Sequence, residues 1–170
     1  KAGLDHFGIE VEDLEKVRAK VAKKYPDIEI VKRPGNRPFA SYSAHDPAGN
    51  YFDLSQPGHE NRAEVYAQGQ WKQDNSISHF AIRVREPERV MSFYTDVFGF
   101  VELPMLTEDR RRLVLQVHHI EQFLFLIADD SPMTCPRLDH WGVSVGEESE
   151  LDDILAVSVW LRYLELSGET

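Results

Sequence analysis

One short motif, typical of a β-strand, occurs three times in the chain. It reads LDHFGIEV at 4–11, ISHFAIRV at 77–84 and LDHWGVSV at 138–145. Each copy has a histidine at its third position and a glycine or alanine two residues later. Because a motif that returns at long intervals marks a repeated supersecondary unit, we predict that the chain is built from copies of one small module.

The first module is predicted to have the element order β-α-β-β-β. After the strand at 4–11, Leu14, Val17 and Val21 recur at helical spacing within 12–25. Three further strands are predicted at 28–34, 39–45 and 51–55, with a turn at the DPAGN sequence of 46–50.

The second module repeats this order, and the third copy of the motif begins an incomplete one. The second module has a strand at 77–84, a helix at 87–98, and strands at 101–106, 111–119 and 122–128. A helix around 149–166 is predicted after the third motif. The predicted organisation is therefore an α+β chain with a module at 1–55, a connector at 56–76, a second module at 77–130 and a partial third module at 131–170.

The composition argues against several classes of partner. The 170 residues carry a net charge of −10, which is unfavourable for binding nucleic acid or an anionic membrane. No apolar segment approaches the roughly 20 residues that span a bilayer. The single cysteine excludes an internal disulfide framework and a cysteine zinc cluster, and we expect a cytoplasmic protein.

Strand alternation places the three histidines on the more polar face of their strands. In the first copy, His6 and Gly8 share one face, opposite Phe7 and Ile9, and the other two copies repeat the pattern. A small residue beside a histidine leaves room for a bound group. The alternative for each histidine taken singly is a structural, hydrogen-bonded role.

Asp53 supplies a carboxylate on the corresponding face of the strand at 51–55. A carboxylate in the middle of a strand is costly to bury unless it is paired or bound to metal, although near a turn it can also be a solvated acid. Together, His6, His79 and Asp53 would form the two-histidine, one-carboxylate set of non-haem Fe(II) enzymes. The same ligand types also suit Zn, Ni or Mn.

These features together resemble the vicinal oxygen chelate superfamily, which includes glyoxalase I, bleomycin-resistance and extradiol dioxygenase proteins. The resemblance rests on the β-α-β-β-β modules, the DHFGIEV and SHFAIRV strands, FYTDVFGF at 93–100 and DPAGNYFDL at 46–54. It implies an α+β fold in which tandem βαβββ modules pair into a curved, cup-like mixed sheet. The helices would lie on the outside, and the cup would hold one divalent metal ion.

The resemblance also implies roles for individual residues. His6, His79 and His140 match the first-strand ligand position, and Asp53 matches the last-strand carboxylate. We predict that His6, Asp53 and His79 bind the metal. In the rival arrangement, His79 and His140 bind it with an acid beyond Thr170.

Two further residues are candidates for catalysis beside this metal. Tyr51 would orient substrate oxygens, and His45 would act as an outer acid or base. The structural alternative for His45 is a hydrogen bond within the turn that it precedes.

The function implied by the resemblance is that of a metal-dependent enzyme acting on a small oxygenated molecule. Extradiol cleavage of a catechol ring with Fe(II) is the first expectation, with Mn, Ni or Zn as alternative metals. The alternatives are a metal-free binding protein of the bleomycin-resistance type, a glyoxalase-like lyase or isomerase, and a non-catalytic half of a tandem protein. We also expect a homodimer, in which exchange of modules between two copies is one way to complete a site.

Overall fold

The computed structural model describes residues 5–34, 40–58, 76–104, 109–117, 120–131 and 137–147. The predicted helix around 149–166 and most of the connector at 56–76 lie outside the described residues. Within these ranges, no helix is long and apolar enough to cross a membrane.

The first module forms a four-stranded sheet with one helix, in the predicted order. Its elements are β1 (Phe7–Glu10), α1 (Leu14–Lys24), β2 (Val31–Lys32), β3 (Tyr42–His45) and β4 (Tyr51–Ser55). The strand order in the sheet is β1-β4-β3-β2. Because β1 runs parallel to β4, with Gly8 opposite Asp53, the first motif and the predicted carboxylate meet on neighbouring strands.

The second module repeats this arrangement and gains a fifth strand from the third motif. Its elements are β5 (Ser76–Val84), α2 (Pro87–Phe98), β6 (Val101–Glu102), β7 (Arg112–Gln116) and β8 (Phe123–Ala128), followed by β9 (Arg137–Ser144). The strand order is β6-β7-β8-β5-β9, and β9 runs antiparallel to β5. The second and third copies of the motif are therefore paired directly with each other.

Both helices begin or end at residues that commonly mark helix ends. The Asp13 carboxylate caps α1 by accepting a hydrogen bond from the backbone N–H of Lys16 at 3.0 Å. Pro87 stands in the first turn of α2, and Gly99 ends that helix in the left-handed conformation with φ of 75°. The predicted apolar face of α1 is confirmed, since Leu14, Val17 and Val21 are buried.

One core joins the apolar faces of the two modules. Phe52 of β4 packs against Phe93, Tyr94 and Phe98 of α2, with ring centroids 5.8–6.4 Å apart. Phe7 of β1 stacks on Phe80 of β5 at 5.5 Å. Because side chains alternate along a strand, the faces that contain the histidines lie away from this shared core.

Candidate functional site

The first candidate site is a histidine–carboxylate pair between β1 and β4. His6 Nε2 lies 3.4 Å from Asp53 Oδ2. The side chain of His6 is one-third exposed, whereas the Asp53 side chain is only 12% exposed. On its other side, His6 Nδ1 donates a hydrogen bond to Asp5 Oδ2 at 2.9 Å. The Nε2 atom of His6 therefore faces the buried carboxylate.

Asp53 is held in place by a short chain of hydrogen bonds. Arg33 Nε donates to Ser43 Oγ at 2.7 Å, and the Ser43 hydroxyl in turn donates to Asp53 Oδ1. This arrangement leaves Oδ2 of Asp53 directed at His6. The sequence reasoning missed Ser43 and Arg33, although alternation along 42–45 puts Ser43 opposite Asp53 in the antiparallel β3–β4 pair.

Tyr51 and His45 both lie beside the first pair. The Tyr51 ring packs edge-on against His6, with centroids 5.3 Å apart, and lies 5.1 Å from the His45 ring. The Tyr51 hydroxyl accepts a hydrogen bond from the Arg33 guanidinium, which also lies over the tyrosine ring. His45 is exposed, and its Nδ1 donates to the Gly49 carbonyl oxygen at 3.1 Å, so the turn bond predicted as its structural alternative is present.

The second candidate site is a histidine pair between β5 and β9. The two motifs pair antiparallel, so that His79 lies opposite Gly142 and His140 lies opposite Ala81. Each histidine thus has the small residue of the other copy as its neighbour. The imidazole rings meet edge to face, with centroids 5.3 Å apart. This pairing explains why the second and third copies contain both a histidine and a small residue.

Electrostatics favour a neutral ring at His79. Burial lowers the pKa of His79, and the neighbouring His140 lowers it further. The neutral imidazole has a lone pair on one ring nitrogen, which is the form that binds metals.

Arg83, on the same strand as His79, is engaged by two carboxylates. Its guanidinium pairs with Asp139 and with Asp129, the latter at 3.2 Å. Burial raises the pKa of Asp139, but hydrogen bonds from His140 and Arg83 outweigh this effect, so that the pKa lies below its ordinary value. Asp139 is therefore an ionised acceptor between Arg83 and His140.

The predicted ligands thus fall into two pairs. His6 lies with Asp53, and His79 lies with His140. Among the described residues, no three histidine, cysteine, aspartate or glutamate side chains are grouped closely enough to hold a metal ion. The structure does not bring His79 to the His6–Asp53 pair, and metal ligation by these residues stays a prediction.

A cavity adjoins the second pair. Its volume is about 130 Å³, and it lies between β1 and the ends of β5 and β8. Most of its lining is apolar, including Phe7, Ile9 and Phe123, and the polar residues in the wall are Glu10, Ser78, His79 and Gln122. A small, mainly apolar molecule would fit such a space.

Comparisons with known proteins agree with the fold. Residues 76–119 match the model of the Glyoxalase/Bleomycin resistance protein/Dioxygenase superfamily. Among curated proteins, none matches the chain significantly.

Several solved structures resemble this one. The Mn(II)-bound glyoxalase from Novosphingobium aromaticivorans has a TM-score of 0.57 and 19% sequence identity, over 81% of this chain and 44% of that one. A catechol 2,3-dioxygenase has a TM-score of 0.63 and 14% identity, over 94% of this chain and 57% of that one. The halotolerant catechol dioxygenase BphC has a TM-score of 0.62 and 14% identity, over 94% and 56% of the two chains.

This chain spans about half the length of these structures. At such low identities, the likeness concerns the fold. The resemblance that the sequence motifs predict is confirmed: the chain has the vicinal oxygen chelate fold, and its residues 76–119 match the model of the glyoxalase, bleomycin-resistance and dioxygenase superfamily.

Proposed function

We propose that this chain binds divalent metal at two separate places and forms part of a metal-dependent enzyme acting on a small oxygenated molecule. One place is the His6–Asp53 pair, and the other is the His79–His140 pair. Support comes from the fold shared with an Mn(II)-bound glyoxalase and with catechol dioxygenases.

The single observation that carries the proposal is the contact between His6 and Asp53. Nδ1 of His6 is engaged by Asp5, and Nε2 faces the Asp53 carboxylate across 3.4 Å. A ring nitrogen and a carboxylate oxygen at this separation attract a cation between them, which is a proton when the ring is an imidazolium and a metal ion when the ring is neutral. Imidazole nitrogen and carboxylate oxygen are the ligand types that Fe, Mn, Zn and Ni share in proteins, so the residues fit a divalent ion.

The second pair offers two imidazoles. The lowered pKa of His79 keeps this ring neutral near pH 7, so that it can act as a ligand without first losing a proton. We propose that a second copy of the chain supplies further ligands to either pair, in keeping with the homodimer expected from the sequence.

When bound, the metal would supply Lewis acidity to two adjacent oxygens of the substrate. The chain's own residues would orient that substrate. Because Arg33 donates to the Tyr51 oxygen, the Tyr51 O–H proton is free to point elsewhere and can bond a substrate oxygen beside His6. Because Nδ1 of His45 donates to Gly49, its Nε2 is the atom left to accept a proton.

Ring cleavage of a catechol with Fe(II) is the specific activity that we propose first. The cavity beside His79, at about 130 Å³, is comparable with the roughly 150 Å³ cavity known to hold benzene. This size favours a ligand with a single aromatic ring.

The metal content of the chain, purified without chelator and measured by plasma mass spectrometry, tests the proposal. We expect Fe, Mn, Zn or Ni in the chain, and ring-fission product from catechols after loading with Fe(II). Absence of metal after purification and after loading would contradict the proposal. Stabilisation of the metal-free chain by an aromatic ligand would then favour the binding-protein alternative.

A further inference from the structure

The residue that precedes each histidine in the three motifs contacts that histidine. Asp5 Oδ2 lies 2.9 Å from His6 Nδ1, Asp139 Oδ2 lies 2.7 Å from His140 Nδ1, and Ser78 Oγ lies 3.0 Å from His79 Nδ1. In every copy the contact is made to Nδ1. The other ring nitrogen, Nε2, is therefore the atom directed away from the strand that holds the histidine.

Irregularities in the β5–β9 pairing make two of these contacts possible. Neighbouring side chains in a regular strand point to opposite faces, so that residues 78 and 139 would lie away from their histidines. The register shifts between Ile77 and His79, and again between Ala81 and Ile82. Ser78 on β5 and Asp139 on β9 are thus extra residues in the ladder. A β-bulge of this kind re-aims a side chain, here towards the histidine that follows it.

We propose that Asp139 is a positioning residue that holds His140 as the Nδ1–H tautomer, with the Nε2 lone pair presented for metal binding. Asp5 has the same role toward His6. The inference rests on the metal-binding function proposed above and extends it to residues that are not themselves ligands.

The surroundings of Asp139 support this role. Its other oxygen, Oδ1, accepts a hydrogen bond from Arg83 Nε, so the carboxylate is fixed from the opposite side. The Asp139 side chain is only 19% exposed, whereas that of Asp5 is 87% exposed. Because water competes for an exposed acceptor, the effect on the histidine should be stronger at Asp139 than at Asp5.

Ser78, in the second copy, differs from the two aspartates in its hydrogen-bonding capacity. A carboxylate can only accept from Nδ1–H, whereas the Ser78 hydroxyl can either donate or accept. The two aspartates therefore select one tautomer, and Ser78 leaves the choice open at His79. Acceptors that bond the far nitrogen of a ligating histidine, and so fix its tautomer, typically contribute 10- to 100-fold to metal affinity.

Long-range ¹H–¹⁵N spectra of the histidine side chains test the tautomer without any metal. At a pH where the imidazoles are neutral, we expect the Nδ1–H form for His140 in the wild-type chain. In Asp139→Ala, His140 should shift to the Nε2–H form that unrestrained histidines favour. Asp139→Glu keeps a carboxylate and should restore the Nδ1–H form.

Titration calorimetry with Zn²⁺ then tests the consequence for the second pair. We expect Asp139→Ala to weaken binding by about 10- to 100-fold and Asp139→Glu to recover part of the loss. Asp129→Ala is the matched control, because Asp129 contacts Arg83 as Asp139 does but has no contact with His140 among those described. It should leave both the tautomer and the Zn²⁺ affinity unchanged.

Two results would overturn the inference. One is the Nε2–H form of His140 in the wild-type chain, which can be observed even if Asp139→Ala fails to fold. The other is an unchanged Zn²⁺ affinity in a folded Asp139→Ala. If the wild-type chain binds no metal, the proposed function fails, whereas the metal-free spectra still decide whether Asp139 sets the tautomer.

Discussion

Gly142 shows how closely the two paired motifs approach each other at the level of single residues. A Cβ atom added to Gly142 would lie 2.2 Å from His79 Cε1 and 2.5 Å from His79 Nδ1. Gly8 occupies the same position in the first motif, and a Cβ added there meets no described atom within 4 Å. A side chain therefore fits at Gly8 but not at Gly142, although the two glycines occupy equivalent places in the motif.

Gly142→Ala is expected to displace the His79 ring and weaken metal binding at the second pair. The cost in stability should be about 1 kcal/mol, at the lower end of the range for overpacking, because an imidazole ring can rotate away. Gly8→Ala is the matched control and should bind metal like the wild type. Metal titration and urea unfolding of both variants check this expectation, and equal metal affinities in the two would contradict it.

Tyr25 provides a test of stability at alkaline pH. Burial raises the pKa of Tyr25, and its hydrogen bond to Asp96 at 3.0 Å contributes further, to about 12 from an ordinary value of 10.0. The folded chain thus keeps a proton that the unfolded chain releases first, and stability must fall as the pH rises through this interval.

Tyr25→Phe removes this titration and should make the alkaline loss of stability shallower. Tyr94, whose pKa is also raised by burial, continues to contribute to the loss in both proteins. Urea unfolding midpoints measured from pH 9 to 12, a window set by the ordinary value of 10.0 and the raised value of about 12, give the two slopes. If the unfolding midpoints of wild type and Tyr25→Phe fell equally steeply with pH, folding would not raise the pKa of Tyr25.

At the scale of elements, a buried polar contact joins the two modules. Asp46, in the turn between β3 and β4, accepts hydrogen bonds from the backbone N–H groups of Ala48 and Asn50, each at 2.9 Å. It also accepts from the Tyr94 hydroxyl on α2 at 3.2 Å. The DPAGN sequence thus forms a turn, as predicted, and the turn also fixes where α2 packs.

Tyr94→Phe keeps the ring packing of α2 and removes only the hydroxyl. Because the Asp46 side chain is buried, losing one donor should destabilise the chain by about 1–3 kcal/mol. Chemical denaturation of the variant measures this difference. A change below about 0.5 kcal/mol, the size typical of neutral surface substitutions, would mean that the contact contributes little to joining the modules.

The extent to which each element was predictable depended on local signals. β4 and α2 match their predicted bounds, 51–55 and 87–98, because a turn precedes β4 and Pro87 and Gly99 mark the ends of α2. β2 and β6 have only two residues each, although longer strands are predicted at 28–34 and 101–106. Strand length there depends on the partner strand, which local residue preferences do not encode.

For the whole molecule, the repeated motif predicts which residues face a site but not which copies meet. His6 lies beside Asp53 because β1 and β4 pair within one module. The meeting of His79 with His140 depends on β9 pairing with β5, which the sequence offers only as one of two alternatives. The bulges that turn Ser78 and Asp139 towards their histidines leave no trace in the hydrophobic pattern, because they arise from the register between two strands.

In the proposed function, metal binds at two separate pairs, which lie on faces directed away from a shared core. In the single-site arrangement predicted first from the sequence, His6, Asp53 and His79 would instead act together. The two arrangements differ in how single substitutions combine, because independent sites give additive effects and a shared site does not.

The most direct test is the Mn²⁺ stoichiometry of His6→Ala, His79→Ala and the double variant, measured by titration calorimetry. His45→Ala serves as the control, since the exposed His45 is proposed to handle a proton and not to bind metal. We predict that each single variant loses a different part of the Mn²⁺ binding and that only the double variant loses all of it. Complete loss in either single variant would contradict two independent sites.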